Sequence, residues 1–291
     1  MRRIDETTRS SPHFSQGQQL GWGLFDPKAY VQPWQVPWGA KELTLGMVGW
    51  AVTFVLVGIT FIPVAGFAAG PKGFAALSSS DKALFTLANQ VAETAVGIGV
   101  IRLAVRGFEP LPTDFLKIDI REPIKRPYGW LAWALVGMAL SPLVVLLASA
   151  AVESVGYTPD TSGRGTVDAV SSIISLDGPT YAALFSTTAI LAPVLEETVF
   201  RGFLLTTLTK WLPVPAAVLV SSLAFGAAHF TPKDFPQLTA LGILLGFSYV
   251  RSRNLLTPMV IHGAWNGTVL TILFMLTSLG VNVDQVTHGQ F

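Results

Sequence analysis

The sequence predicts an all-α, polytopic integral membrane bundle of about seven to eight transmembrane helices. Three observations carry that prediction. Of 291 residues, 51% are hydrophobic and only 13% charged, against about 25% charged in a soluble globular domain. Mean hydropathy is +0.52. Uncharged stretches approaching or exceeding the roughly 20 residues needed to cross a hydrocarbon core recur along the chain. This composition excludes a disordered chain and an ordinary cytosolic enzyme. Nineteen Lys and Arg against 18 Asp and Glu give a net charge of +1; with no strongly basic segment, no nucleic acid is expected as a partner. There is no cysteine, so catalysis must come from carboxylate, imidazole, hydroxyl or amide groups.

Residues 1–42 are polar and rich in Trp, Pro and Gln (VQPWQVPWG), and read as an N-terminal extramembrane segment. They lack the apolar core of a signal peptide, and Asp5 and Glu6 argue against a transit peptide. Residues 43–153 hold the first spans, at 43–67, 83–105 and 127–152. The first and third carry no charge, while the second carries Asn89, Gln90, Glu93 and Arg102. Residues 154–179 read as an acidic extramembrane loop. Residues 180–280 divide into a long helix at 180–210 interrupted by Pro193, spans at 214–230 and 236–251, and a last apolar run that starts at 254 and reaches 283. Pro213 and Pro215 mark one break, Pro232 and Pro236 the next; the spans at 214–230 and 236–251 are short for a bilayer, which leaves shifted boundaries or re-entrant segments as alternatives. Residues 281–291 form a C-terminal tail. With seven alternating spans, the N-terminus, 106–126, Lys210 and the Arg251/Arg253 loop share a side holding 13 Lys and Arg, against four opposite. The positive-inside rule places the richer side in the cytoplasm or its equivalent.

Ionisable groups inside a membrane are expensive and point to function. Three clusters occur in the C-terminal third. In Glu196-Glu197-Thr198-Val199-Phe200-Arg201, Glu197 and Arg201 are four apart and can pair on a helix. Glu196 lies about 100° around the helix and is not neutralised by that contact; a carboxylate left unpaired in a low-dielectric pocket gains the basicity of a general base. In Phe225-Gly226-Ala227-Ala228-His229, ring and imidazole share a face beside small residues that admit a neighbouring helix. In His262-Gly263-Ala264-Trp265-Asn266, imidazole and carboxamide stand one turn apart, both able to donate to a developing oxyanion. Gly263/Gly267 and Gly242/Gly246 have GxxxG spacing, which favours close helix packing. Singly, each cluster also reads as an interfacial charge group, a hydrogen-bonded structural histidine, or a helix–helix contact. Together they supply a base, a second base or orienter, and two donors, a set suited to hydrolysing an amide with water inside the bilayer.

Depth poses a difficulty. Glu196 lies about 24 Å along its helix from Thr180, His229 near the far end of its span and His262 near the start of the last. Strict alternation does not bring them to one level; tilted helices, a long fourth helix projecting from the membrane, or a shifted boundary near Trp211–Pro215 would reconcile them.

Glu196-Glu197-x-x-x-Arg201, Phe225-x-x-x-His229 and His262-x-x-x-Asn266 resemble the motifs of the CPBP intramembrane protease family, which contains type II CAAX prenyl endopeptidases, bacteriocin-processing proteins and abortive-infection proteins. The resemblance covers about residues 180–278. The segment GWGLFDPKAYVQPW resembles plastid and cyanobacterial members more loosely, which implies a plastid envelope or thylakoid, or a bacterial-type plasma membrane. The resemblance implies a glutamate-dependent intramembrane endopeptidase in which Glu196 and His229 activate water, His262 and Asn266 stabilise the oxyanion, and Glu197 and Arg201 hold the site in shape. It implies a peptide or membrane-protein substrate, a prenylated one among the options, together with membrane lipid and a partner membrane protein, and no cofactor. One alternative is a zinc peptidase with Glu196, His229 and His262 as ligands, although HExxH is absent. The other is a non-catalytic membrane scaffold or regulator that retains the protease fold.

Overall fold

The computed structural model describes residues 26–281 apart from 69, 71–72, 74–76, 155, 157–169 and 172. The first 25 residues of the N-terminal segment, including the start of GWGLFDPKAYVQPW, lie outside the described residues, as do most of the acidic loop and nearly all of the C-terminal tail.

Among the described residues all regular structure is helical. The long elements are α1 (Ala40–Ala68), α2 (Ser79–Val105), α3 (Trp130–Ser154), α4 (Gly178–Leu208), α5 (Val214–Ala227), α6 (Phe235–Ser252) and α7 (Leu256–Ser278). All seven expected helices are present, and among the described residues five, α1 to α4 and α7, are long and apolar enough to cross a membrane. α5 has 14 residues and α6 has 18.

The shortness of α5 accounts for how His229 reaches the level of Glu196. α5 turns back from the end of α4 and covers about 21 Å at 1.5 Å per residue. Glu196 stands 12 residues before Leu208, about 18 Å from the same end. The far end of α5 therefore lies at the level of Glu196, in the middle of the bundle. Its boundary is three residues earlier than expected, at Ala227 and not 230. Three residues on, Phe230 adopts a left-handed backbone (φ +52°), and Pro232 and Pro236 frame the start of α6.

α4 is the most buried of the five spanning helices and α1 the least. α4 packs on α2 and α7, α6 packs on α5 and α3, and α3 also packs on α7. Small residues set the closest approaches. A Cβ on Gly263 would stand 2.3 Å from the Ala189 carbonyl oxygen, and one on Gly267 2.9 Å from the Phe185 ring, so only glycine lets α7 lie on α4 here. Gly242 and Gly246 do the same for α6 against Ser222 and Val218 of α5. At the opposite end of α4 from Leu208, Asp177 caps the helix by accepting from Thr180 N–H at 2.8 Å, and it accepts from the Ser80 hydroxyl of α2 at 3.0 Å.

The strap VQPWQVPWG is more than a polar tail. Trp34 and Trp38 are buried in the main core with Ile101, Phe115, Phe203 and Tyr249. Trp34 N–H donates to Thr209 Oγ1 at 3.0 Å, Trp38 Nε1 to Thr207 Oγ1 at 2.9 Å, and Lys210 Nζ to the Trp38 carbonyl. Asn254 Nδ2 donates to the Asp119 carbonyl, and Arg253 to the Gln32 carbonyl. The strap, the 106–126 loop, Lys210 and the Arg251/Arg253 turn, counted together on the basic side, thus meet at one end of the bundle.

Candidate active site

α4 departs from a regular helix twice, at π-helical stretches over Ser186–Leu191 and Thr198–Leu205. The first follows from Pro193, which lacks the N–H that would bond the carbonyl of Ala189 four residues earlier. That carbonyl oxygen instead faces Gly263, where an added Cβ would stand 2.3 Å from it. The second begins directly after Glu197. Such widened turns rotate side chains relative to an ideal helix and are frequent at functional sites.

Between α4, α6 and α7 lies a cavity of about 420 Å³. Glu196, His229, His262 and Asn266 all line it, with Gln90 of α2, Thr187 and Thr188 of α4, Asp234, Trp265 and an apolar wall from Leu238, Leu241 and Leu270. The side chains singled out in the sequence therefore share one chamber. Glu197 and Arg201 stand behind it, both fully buried.

Arg201 Nη1 donates to Glu197 Oε1 at 3.0 Å and Nη2 to the Gly242 carbonyl at 3.1 Å. Its guanidinium lies 4.4 Å from the Phe225 ring centroid. The pairing expected between positions 197 and 201 is present, and the same Glu197 oxygen lies 2.9 Å from His262 Nδ1. A carboxylate paired with arginine only accepts, so His262 Nδ1 carries a proton and its Nε2 faces the cavity. His229 Nδ1 lies 2.9 Å from the Phe225 carbonyl, which also only accepts. His229 is thereby set in its Nδ1–H tautomer, leaving the Nε2 lone pair for a proton in the chamber.

Glu196 Oε2 is buried without a hydrogen-bond partner. It stands 3.9 Å from His229 Nε2 and 3.8 Å from His262 Nε2. Those separations are too long for direct hydrogen bonds and suit a single bridging water. Asn266 Nδ2 donates one hydrogen to the Thr188 carbonyl at 2.9 Å, which fixes the amide and leaves a second N–H. The motif spacing did not indicate Thr188, Gln90 or Asp234. Nor did it indicate Phe225 as a divider between Arg201 and the histidines, with ring centroids 4.8 Å from His229 and 5.7 Å from His262. Gln90 and the Ser186-Thr187-Thr188 run, polar inside apolar helices, were visible signals.

A tetrahedral zinc ion holds carboxylate oxygen and imidazole nitrogen about 3.3 Å apart. The Glu196–His229 and Glu196–His262 separations exceed that by about half an ångström, at 3.9 and 3.8 Å. Among the described residues no group of three or more His, Asp or Glu is placed to hold a metal ion.

Residues 178–268 match the Rce1-like family, described as type II CAAX prenyl endopeptidase. The matched stretch holds all three motifs. The chain is 29% identical over 167 residues to the membrane-embedded CAAX protease MroQ of Staphylococcus aureus (strain USA300), covering 55% of this chain and 63% of that protein. It is 36% identical over 94 residues to an uncharacterized 24.3 kDa protein of Escherichia coli, covering 29% of this chain and 41% of that protein. To YdiL of Bacillus subtilis (strain 168) it is 25% identical over 138 residues, covering 47% of this chain and 54% of that protein. The matched regions therefore span between about two fifths and just under two thirds of these relatives. No solved structure matches the chain.

Proposed function

We propose that the protein is a membrane-embedded endopeptidase that hydrolyses a peptide bond with a water activated by Glu196 and His229. The observation that supports this most is the unpartnered Glu196 Oε2, with the two imidazole Nε2 atoms at 3.9 and 3.8 Å. Water held between them gives a proton to Glu196 or His229 as its oxygen bonds to the scissile carbonyl carbon. The oxyanion takes the second Asn266 N–H, and His262 Nε2–H in the imidazolium form, whose Nδ1–H remains on Glu197. When the C–N bond breaks, the proton taken from water goes to the leaving amine. Glu197 and Arg201 hold His262 and touch no substrate. The match to the Rce1-like family and the name of the relative MroQ support the reaction class. The substrate in this reading is a peptide or membrane protein, prenylated or not, in a bacterial-type or plastid membrane.

The test is proteome-wide profiling of new N-termini in cells carrying wild-type or Glu196→Gln protein. Termini present only with the wild type identify both activity and substrate. A Glu196→Gln protein that fully restores a deletion phenotype would favour the scaffold. Cleavage lost on chelation and restored by zinc would replace the metal-free route with the zinc one.

A further inference from the structure

We infer that Phe230 is a substrate-positioning residue, whose ring receives a membrane-embedded segment of the substrate at the mouth of the Glu196 cavity; this rests on the endopeptidase reading. α5 ends at Ala227, and the turn to α6 closes through Phe230 N–H to the Ala227 carbonyl at 3.1 Å and Asp234 N–H to the Thr231 carbonyl at 3.0 Å. Phe230 has φ +52°. That left-handed conformation suits glycine or asparagine, and a bulky side chain there carries a conformational cost. Glycine would make the same turn without it. Burial of the ring normally offsets such a cost, yet Phe230 is 87% exposed. Among the described residues nothing repays the strain, which leaves the ring for a contact with another molecule.

The place of the turn says which contact. His229 and Asp234, on either side of Phe230, both line the cavity. His229 is turned inward and held by the Phe225 carbonyl. Leu219 and Leu223 of the preceding helix α5 are exposed as well. The ring therefore sits on the exposed side of a turn whose two ends, His229 and Asp234, line the chamber. Contact with lipid alone is available to any exposed position on α5 without a left-handed residue. A ring one residue from His229 is placed to meet a segment passing from lipid to Glu196.

The test uses two probes built on a cleaved sequence found by N-terminal profiling: a single-span membrane reporter and a water-soluble peptide of about ten residues across the same bond. In Phe230→Gly the ratio of kcat/KM for the reporter to that for the peptide is expected to fall roughly tenfold, through KM, and Phe230→Leu to restore it to within about threefold. The glycine variant is expected to melt no lower than wild type, because it loses the strain. An unchanged ratio, an equal loss on both probes, or a lower melting temperature overturns the assignment. Wild-type protein that cleaves neither probe counts instead against the endopeptidase reading, and this assignment falls with it.

Discussion

His262 Nδ1 lies 2.9 Å from Glu197 Oε1, the same oxygen that receives Arg201 Nη1 at 3.0 Å. One buried carboxylate thus joins α4 to α7. Arg201 neutralises it from behind, and it orients the imidazole in front.

Arg201→Ala strands Glu197 in a dry interior and is expected to destabilise the protein by about 3–5 kcal/mol, as for a broken buried ion pair. Thermal unfolding in detergent reads the effect. Removing both charges with Glu197→Gln and Arg201→Met should recover much of the stability while leaving His262 misaligned and cleavage poor.

Glu196→Gln keeps the shape of its side chain and loses its basicity. Cleavage is expected to fall at least a hundredfold with the melting temperature within a few degrees of wild type. Near-normal turnover would move the base elsewhere.

Asn266→Ala should lower kcat by roughly a hundredfold with a smaller change in KM, as for a lost oxyanion donor. An effect confined to KM would place Asn266 in substrate binding.

Gly263→Ala places a methyl 2.3 Å from the Ala189 carbonyl oxygen, a contact that forces α7 off α4. Both stability and cleavage should drop, because His262 and Asn266 ride on α7. Gly66→Ala, where nothing lies within 4 Å of the added carbon, serves as the control and should leave both nearly unchanged.

Asp177 is held down to about 2, from an ordinary 3.8, by the Ser175 hydroxyl first, then the Thr180 N–H and hydroxyl, and also the Ser80 hydroxyl. A carboxyl depressed on folding contributes stability that is full above its unfolded value and is lost as pH falls towards the folded one. The pinning of α4 to α2 should therefore weaken between about pH 4 and pH 2. Asp177→Asn should flatten that part of the melting-temperature profile; an unchanged profile would remove Asp177 from the acid transition.

The seven helices and three motifs were legible in the sequence because apolar run length, proline breaks and i,i+4 spacing are local properties. The Glu197–Arg201 pair was legible for the same reason, with both partners on one turn. The 214–230 run was legible as short for a bilayer, but the sequence did not reveal that α5 stops at Ala227. Hydropathy measures the length of an apolar run, whereas the helix end is set by the left-handed backbone at Phe230 and the packing of Gly226 against Phe235 and Thr239. The burial of Trp34 and Trp38 was hidden among Gln and Pro, since their partners Thr207 and Thr209 lie about 170 residues away. Residue types alone marked Glu196 as unpaired and His229, His262 and Asn266 as its chemical companions. Only the tertiary structure decided that Glu196 faces both imidazoles at 3.8–3.9 Å, because that depends on how closely Gly263 lets α7 approach the widened turn of α4.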